Sequence, residues 1–170
     1  MGQIVYHSPI GTLRIESADG LALDSIMFID DIVSAGNKQD DQCNALVTSL
    51  FNKTLKQLEA YFKGKLQEFR LPLHLDTTPF TLSVWRALQD IPYGATISYG
   101  ELAERIDDPK ATRAVGHANS SNPFAIVVPC HRVVGAQGQL VGYRWGLERK
   151  RWLLKHEQRY SGKAVDLSLF

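Results

Sequence analysis

Short apolar runs separated by turn residues make up the first 30 residues of the chain. The runs cover residues 4–6, 12–16 and 21–28, and the separators at 8–11 and 18–20 contain proline, glycine and aspartate. Apolar runs bounded in this way are typical of β-strands joined by tight turns. The pattern therefore predicts an antiparallel meander at the N-terminus.

A helical pattern follows a polar, glycine-containing loop predicted at residues 34–42. Gly64 is a natural helix C-terminal stop, and the segment 44–63 before it carries apolar side chains at helical spacing. These side chains are Leu46, Leu50, Phe51, Leu55, Leu58, Tyr61 and Phe62. Leucines then alternate with other residues over 71–75, which predicts a short edge strand. Residues 76–78 are predicted to be the boundary to a second unit.

The second half of the chain shows helix start signals. Thr78 and Pro79 suit the N-cap and first position of a helix that ends at residues 91–94. Ser98 and Glu101 have capping-box spacing and start another helix. Residues 107–109 are predicted to cap a third helix, from Lys110 to about Asn119. The last two form a helix-turn-helix pattern, although spacing by itself favours an ordinary pair of packed helices.

The remaining segments are an apolar run, a turn and a last helix. The run at residues 123–129 leads to Cys130, and residues 137–139 contain a glycine turn. Residues 146–156 are predicted to form the final helix. Its inward side chains are expected to be Leu147, Trp152, Leu153 and Leu154.

Composition excludes several classes of protein. A chain of 170 residues can form one domain or two small ones. Its two cysteines, Cys43 and Cys130, lie far apart, so no disulfide framework or structural zinc site is expected. No apolar run approaches membrane-spanning length, and residues 1–6 do not resemble a signal peptide. We therefore expect a cytoplasmic protein with no membrane association.

Charge is unevenly distributed along the chain. Residues 1–77 carry 7 basic and 10 acidic side chains, a net charge of −3, whereas residues 78–160 carry 11 and 7, a net charge of +4. A basic half suggests a polyanionic partner, although a net charge of this size is also common in proteins that bind nothing charged.

The candidate chemistry lies at Pro129, Cys130, His131 and Arg132. A thiolate is the reactive form of cysteine, and neighbouring cations or imidazoles lower the pKa of a thiol. Sulfur is also a strong nucleophile near neutral pH. The alternative is that Cys130 is a buried free cysteine that acts as a small apolar side chain.

The second half resembles the O6-alkylguanine-DNA alkyltransferases, which transfer an alkyl group from damaged guanine to one of their own cysteines. The match is collinear over residues 79–157. The motifs that carry it are the segments 91–94, 97–99, 112–116, 121–123, 129–133, 142–147 and 152–157. The resemblance implies an α+β protein. An RNase H-like α/β domain at 1–76 would precede a winged-helix, helix-turn-helix catalytic and DNA-binding domain at 77–158 and a tail at 159–170.

The resemblance also implies roles for four residues. Cys130 would be the nucleophile, His131 its base through a water, and Glu157 the group that orients His131. Tyr99 would donate a proton or hydrogen bond to the leaving guanine ring. No cofactor and no metal are implied. Taken singly, His131 could be a satisfied polar residue, Glu157 a solvated helix residue and Tyr99 an ordinary interface aromatic.

Reaction at a base inside a duplex requires that the nucleotide be flipped out. The resemblance assigns Arg113 to the vacated space and places its helix in the minor groove of double-stranded DNA that contains O6-alkylguanine. The other DNA-binding residues on this helix would be Thr112, Ala114, Gly116 and Asn119. The substrate pocket would be formed by Asn122, Val133, Tyr143, Arg144 and Trp145. Asn122 would also brace the turn before the cysteine strand, and Trp145 is expected to restrict bulky alkyl groups.

The expected function is DNA repair by irreversible transfer, mainly from O6-alkylguanine and more weakly from O4-alkylthymine, by a monomer that acts once. One alternative is an alkyltransferase-like protein that binds lesions without repairing them, although the presence of Cys130 opposes it. The other is an unrelated cysteine hydrolase that turns over on a small substrate.

Overall fold

The computed structural model describes residues 2–29 and 45–162. The chain forms two compact units, Met1–Leu75 and Asp76–Phe170. The predicted loop at 34–42 and Cys43 lie outside the described residues. No helix within the described ranges is long and apolar enough to cross a membrane.

The first unit contains the expected antiparallel meander. Its strands are β1 (Gly2–Ser8), β2 (Gly11–Ser17) and β3 (Ser25–Ile29), with β2 in the centre. Ile15 is the register partner of Ile4 on one side and of Ile26 on the other. Because β-strand side chains alternate between faces, this register places the three isoleucines on one face of the sheet.

The third strand is shorter than the sequence predicted, because it begins at Ser25 rather than at residue 21. Leu23 instead forms an isolated parallel bridge with Leu73. Its amide donates to the Pro72 carbonyl at 2.9 Å, and the His74 amide donates to the Leu23 carbonyl at 2.8 Å. The expected edge strand at 71–75 is therefore reduced to one bridge.

Helix α1 (Ala45–Phe62) supplies the apolar partner of the first unit's core. Leu58 and Tyr61 on this helix are fully buried, as are Leu13 and Ile15 on β2. The helix stops as expected at Gly64, which has a φ of +70° that favours glycine.

Two helices of the second unit begin where the sequence predicted. Helix α2 (Pro79–Gln89) is capped by the Thr78 hydroxyl, which accepts from the Thr81 amide. The short strand β4 (Ile97–Ser98) leads into α3 (Tyr99–Arg105). Both hydrogen bonds of the predicted capping box between Ser98 and Glu101 are present.

The next helix begins later than predicted. Helix α4 (Thr112–Ser120) has Ala111 at its N-cap and no side-chain cap. Residues 107–109 do not cap it, because Asp107 has a φ of +59° and the Asp108 carbonyl accepts from the Ala111 amide in a turn. This turn separates α3 from α4.

The prediction that Cys130 lies on a β-strand is wrong. Cys130–Arg132 is a 3-10 turn, and only the two residues after it form a strand, β5 (Val133–Val134), parallel to β4. The final helix, α5 (Leu147–Tyr160), is longer than predicted. Leu147 is 39% exposed and Trp152 is half-buried, so of the four expected inward residues only Leu153 and Leu154 are buried.

Candidate active site

Cys130 lies at the start of the 3-10 turn and is only 2% exposed. The Asn122 side chain braces the segment before it: Nδ2 donates to the Val128 carbonyl at 2.9 Å, and Oδ1 accepts from the Phe124 amide at 2.9 Å. Asn122 also hydrogen-bonds the thiol of Cys130. One buried amide thus fixes the backbone that carries the cysteine and touches its sulfur.

Burial dominates the acidity of this thiol. Loss of solvent raises the pKa of Cys130 to about 11, although the Asn122 hydrogen bond and the charges of Lys150 and Arg144 act in the opposite direction. The expectation of a lowered thiol pKa is therefore wrong for this state of the site. The cations that lower the pKa, Lys150 and Arg144, lie farther along the chain than the adjacent residues that the sequence pointed to, and the cost of placing a thiolate in a dry environment is larger than their effect.

Behind the cysteine, Glu157 receives four hydrogen bonds. His131 Nε2 lies 2.7 Å from Oε1. Arg132 donates from Nε to Oε2 at 2.8 Å and from Nη2 to Oε1 at 3.0 Å. The Gly94 amide donates to Oε2 at 3.2 Å. Arg132 also donates to the Ile91 carbonyl at 2.5 Å.

The charge state of this cluster follows from its contacts. Burial by itself would raise the pKa of Glu157, but His131 and Arg132 hold it well below its usual range. Burial lowers the pKa of His131, which is therefore neutral at pH 7. Because an ionised carboxylate only accepts, Nε2 carries the histidine proton and Nδ1 is left as an acceptor. Nδ1 has no hydrogen-bond partner among the described residues.

A cavity of about 290 Å³ opens beside Cys130. Besides Cys130, five other expected site residues line it: Tyr99, Tyr143 and Arg144, and Gly116 and Asn119 of α4. Trp145 does not line it: the indole is buried behind the Tyr143 ring at a centroid separation of 5.4 Å. Val133 and Asn122 are also fully buried outside the wall.

The Tyr99 hydroxyl is held in the cavity wall. It donates to the Val141 carbonyl at 3.3 Å and is hydrogen-bonded by the Asn119 side chain. Burial and the nearby Cys130 raise the pKa of Tyr99, so the phenol keeps its proton at neutral pH. This geometry suits a proton or hydrogen-bond donor.

Helix α4 presents three of the five expected DNA-binding residues to solvent. Thr112, Arg113 and Ala114 are exposed, and Gly116 is half-buried in the cavity wall. Asn119 differs from expectation because it is 5% exposed and belongs to the cavity rather than to the outer face. It lies two helical turns after Thr112 and lines the same cavity as Cys130.

The sequence analysis missed Lys150, which is fully buried. Its Nζ donates to the carbonyls of Val133 at 2.6 Å, Gly142 at 2.9 Å and Val141 at 3.0 Å. Helical spacing could have revealed it, since residues 150, 153, 154 and 157 form one face of α5.

No group of three histidine, cysteine, aspartate or glutamate residues in the described part of the chain is arranged to hold a metal ion. The titratable groups at the site instead contact one another and the backbone.

Comparisons with known proteins cover both units. The 6-O-methylguanine DNA methyltransferase ribonuclease-like domain matches residues 1–75, and the DNA binding domain of the same family matches residues 79–159. The expected mixed fold, with a ribonuclease-like domain before a DNA-binding domain, is thereby confirmed.

Curated relatives match over most of their length. A methylated-DNA--protein-cysteine methyltransferase of Mycolicibacterium paratuberculosis is 56% identical over 163 residues, which is 94% of each chain. One from Methanosarcina acetivorans is 45% identical over 155 residues, 90% of this chain and 96% of that protein.

Solved structures agree with these relatives. The Mycobacterium tuberculosis O6-methylguanine methyltransferase matches with a TM-score of 0.76 and 41% identity, covering 98% of this chain and 97% of that one. The M. tuberculosis OGT in complex with DNA matches with a TM-score of 0.77 and 41% identity, covering 97% and 96%.

Proposed function

This chain belongs to the 6-O-methylguanine DNA methyltransferase family, and from that membership we propose that Cys130 is the residue that accepts the alkyl group. The protein repairs DNA by alkyl transfer, as its relatives' names indicate. The observation that carries the assignment to Cys130 is its position at the cavity, next in sequence to a histidine that contacts a buried carboxylate.

The proposed reaction begins with the thiol proton, which passes through a water to Nδ1 of His131. This nitrogen is an acceptor without a partner among the described residues. Glu157 holds the ring from the opposite side and stabilises the imidazolium that forms. Nucleophile, base and orienting group are then arranged as in other nucleophilic sites.

The Cys130 sulfur then attacks the alkyl carbon of O6-alkylguanine. A carbon–sulfur bond forms, the carbon–O6 bond breaks, and its electron pair goes to the guanine. Tyr99 gives its proton to the ring, so guanine leaves as a neutral base, and the proton held by His131 returns to Tyr99 through water. The thioether is stable, so each molecule reacts once.

DNA is the partner, and we propose that α4 enters its minor groove. Arg113 is exposed near the start of this helix, where it can fill the space of an extruded base. Weaker repair of O4-alkylthymine, action as a monomer and the cytoplasmic location expected from the sequence belong to the same proposal.

The test is intact-protein mass after reaction with a duplex containing O6-methylguanine. Wild type should gain one methyl group, on the Cys130 peptide, and product should stop at one equivalent when lesion is in excess. Cys130→Ala should bind the duplex and gain no methyl group, whereas Cys43→Ala should react normally. A methylated Cys43 peptide, or transfer by Cys130→Ala, would contradict the assignment.

The role of Arg113 is tested with two substrates. Arg113→Ala should repair duplex DNA at least about tenfold more slowly, because extrusion of a base costs a few kcal/mol. Its rate with the free modified base should be unchanged. Arg105→Ala, at the exposed end of α3, is the matched control. Equal losses on both substrates would remove Arg113 from this role.

The two alternative functions, lesion binding without repair and hydrolysis by an unrelated cysteine enzyme, predict different results in the mass experiment. A protein that only binds lesions would acquire no methyl group, and a hydrolase would continue beyond one equivalent.

A further inference from the structure

Three charged side chains are buried near Cys130, and their charges do not cancel. Arg132, Lys150 and Glu157 are each 6% exposed or less. With His131 neutral and the thiol protonated, they sum to one positive charge. Transfer of the Cys130 proton to His131 leaves this sum unchanged but creates a thiolate, which then needs a positive charge beside it.

The unbalanced charge is that of Lys150. Arg132 is paired with both carboxylate oxygens of Glu157. The hydrogen bonds of Lys150 go instead to the carbonyls of Val133, Val141 and Gly142, which orient the ammonium but do not neutralise it. Three acceptors require three N–H donors, which only the charged form of lysine has.

Lys150 also interacts electrostatically with the sulfur. Its charge lowers the pKa of Cys130, and in turn Cys130 raises the pKa of Lys150, which burial otherwise lowers to about 8. Lys150 is therefore still mainly charged at pH 7, where repair would occur.

Other groups that face the sulfur do not supply an equivalent buried charge. Arg144 also lowers the pKa of the thiol, but this side chain is exposed and its field is screened by solvent. Tyr99 and Tyr143 face the thiol as neutral phenols. Asn122 contributes a hydrogen bond without a charge.

We propose that the Lys150 ammonium is the counter-charge of the Cys130 thiolate, held in place by three backbone carbonyls so that the thiolate forms beside a fixed buried cation. Lys150 is a positioning residue, because it acts through the sulfur and forms no bond to substrate. This inference rests on the proposed role of Cys130 as nucleophile.

The proposal predicts a particular pH dependence. In the wild type, the fraction of molecules that hold a Cys130 thiolate beside a charged Lys150 should increase with pH only up to the pKa of Lys150, about 8. Above it the lysine proton is lost, and the thiolate–ammonium fraction levels off as expected for two coupled groups. A variant without a titrating residue at this position should show no such levelling.

The experiment measures the rate at which iodoacetamide modifies Cys130 in the full-length protein, read from the mass of the Cys130 peptide, between pH 6 and pH 10. The same preparations are tested for methyl transfer from an O6-methylguanine duplex. The variants are Lys150→Met, which removes the charge, and Lys150→Arg, which keeps a cation that does not titrate in this range. Lys155→Met, an exposed position on α5, is the matched control.

Lys150→Met should react about tenfold more slowly than wild type at pH 7, which corresponds to about one pH unit in thiol acidity. The deficit should shrink above pH 8, where the wild-type lysine also becomes neutral. Lys155→Met should match wild type throughout. A deficit that is the same at every pH would indicate lost structure and would overturn the proposal.

Lys150→Arg keeps the test decisive if the methionine variant does not fold. Wild-type reactivity should level off near pH 8, whereas the arginine variant should continue to rise. Identical profiles would overturn the role of Lys150. Absence of methyl transfer by the wild type would instead contradict the proposed function, so the two failures are distinguishable.

Discussion

The two units bury different chemistry. In the first unit the buried polar side chains are small hydroxyls: Ser17, Ser25 and Thr54, among the described residues. In the second unit the corresponding set includes Arg132, Lys150 and Glu157. Burial of a charge carries a large desolvation cost that only good geometry and full hydrogen bonding offset.

This difference separates a unit whose buried side chains stabilise the fold from a unit whose buried side chains also take part in the reaction. The first unit is held by burial of apolar area, for which residue shape is sufficient. The second unit tolerates an ionic cluster because every charge has partners: four hydrogen bonds reach Glu157 and three leave Lys150. We infer that the cluster is kept for chemistry at Cys130 rather than for folding.

Removal of the central carboxylate should have the largest effect. Glu157→Gln should slow methyl transfer by about 10²–10⁴-fold, the usual contribution of an oriented acid–base group. It should also lower the free energy of unfolding of the second unit by roughly 3–5 kcal/mol, because Arg132 would remain buried without its counter-ion. Single-turnover kinetics and urea denaturation measure the two effects.

The matched control for that variant is Glu148→Gln in the first turn of α5, where the side chain is 89% exposed and pairs with Arg151. It should change neither quantity appreciably. If Glu157→Gln retained full activity, the cluster would have a structural role only, and the two units would not differ as described.

A core truncation in the first unit should show the opposite pattern. Leu58→Ala should cost roughly 2–5 kcal/mol of unfolding free energy, because it leaves a cavity among fully buried side chains. The transfer rate per folded molecule should not change. Leu46→Ala on the same helix, at a position 51% exposed, should have little effect on either measurement. If Leu58→Ala also lowered the transfer rate per folded molecule substantially, the two units would not differ in the way described.

Acid should affect the second unit first. The folded-state pKa of His131 lies below its ordinary 6.5, so the unfolded chain binds more protons than the folded one as the pH falls below about 6.5. Stability is then lost with falling pH, and the lowered pKa of Glu157 extends the loss to more acidic conditions. In the described part of the first unit, by contrast, the carboxylates whose pKa is shifted are the exposed Asp19 and Glu59.

All three tryptophans, Trp85, Trp145 and Trp152, lie in the second unit, so their fluorescence reports its unfolding. Between pH 7 and pH 5, the urea midpoint followed by tryptophan fluorescence should fall clearly. Over the same pH range, the protection of the β2 amides against hydrogen exchange, which reports on the first unit, should change less. Equal changes in both probes would count against a pH-sensitive cluster.

The smallest effect concerns the size of the cavity. The wall is formed by Tyr143, with Trp145 behind it. Tyr143→Ala should therefore raise the rate with O6-benzylguanine more than Trp145→Gly does, by about tenfold if overpacking of about 1–3 kcal/mol is relieved. Rates with O6-methylguanine at the same salt concentration are the reference. A larger gain in Trp145→Gly would restore the direct role that the sequence suggested.

Local signals in the sequence were sufficient for most elements. Thr78, the Ser98–Glu101 capping box and Gly64 set helix ends through bonds and dihedral angles within a few residues, so their effect can be predicted from neighbours along the chain. The N-terminal meander follows from alternating runs and turns in the same way. The motifs around Cys130 likewise indicate the family, because they are set by residue type and order along the chain.

Tertiary structure decided what depends on burial. The pKa of Cys130 is raised because distant segments exclude water from it, although cations elsewhere along the chain act in the opposite direction. Asn119 and Trp145 differ from expectation because the loop at 141–145 and helix α4 determine which side chains reach the cavity. Lys150 is charged and buried because three carbonyls from two separate segments meet its Nζ. Residue type sets what a side chain can do, whereas solvent exclusion by residues far along the chain sets what it does here.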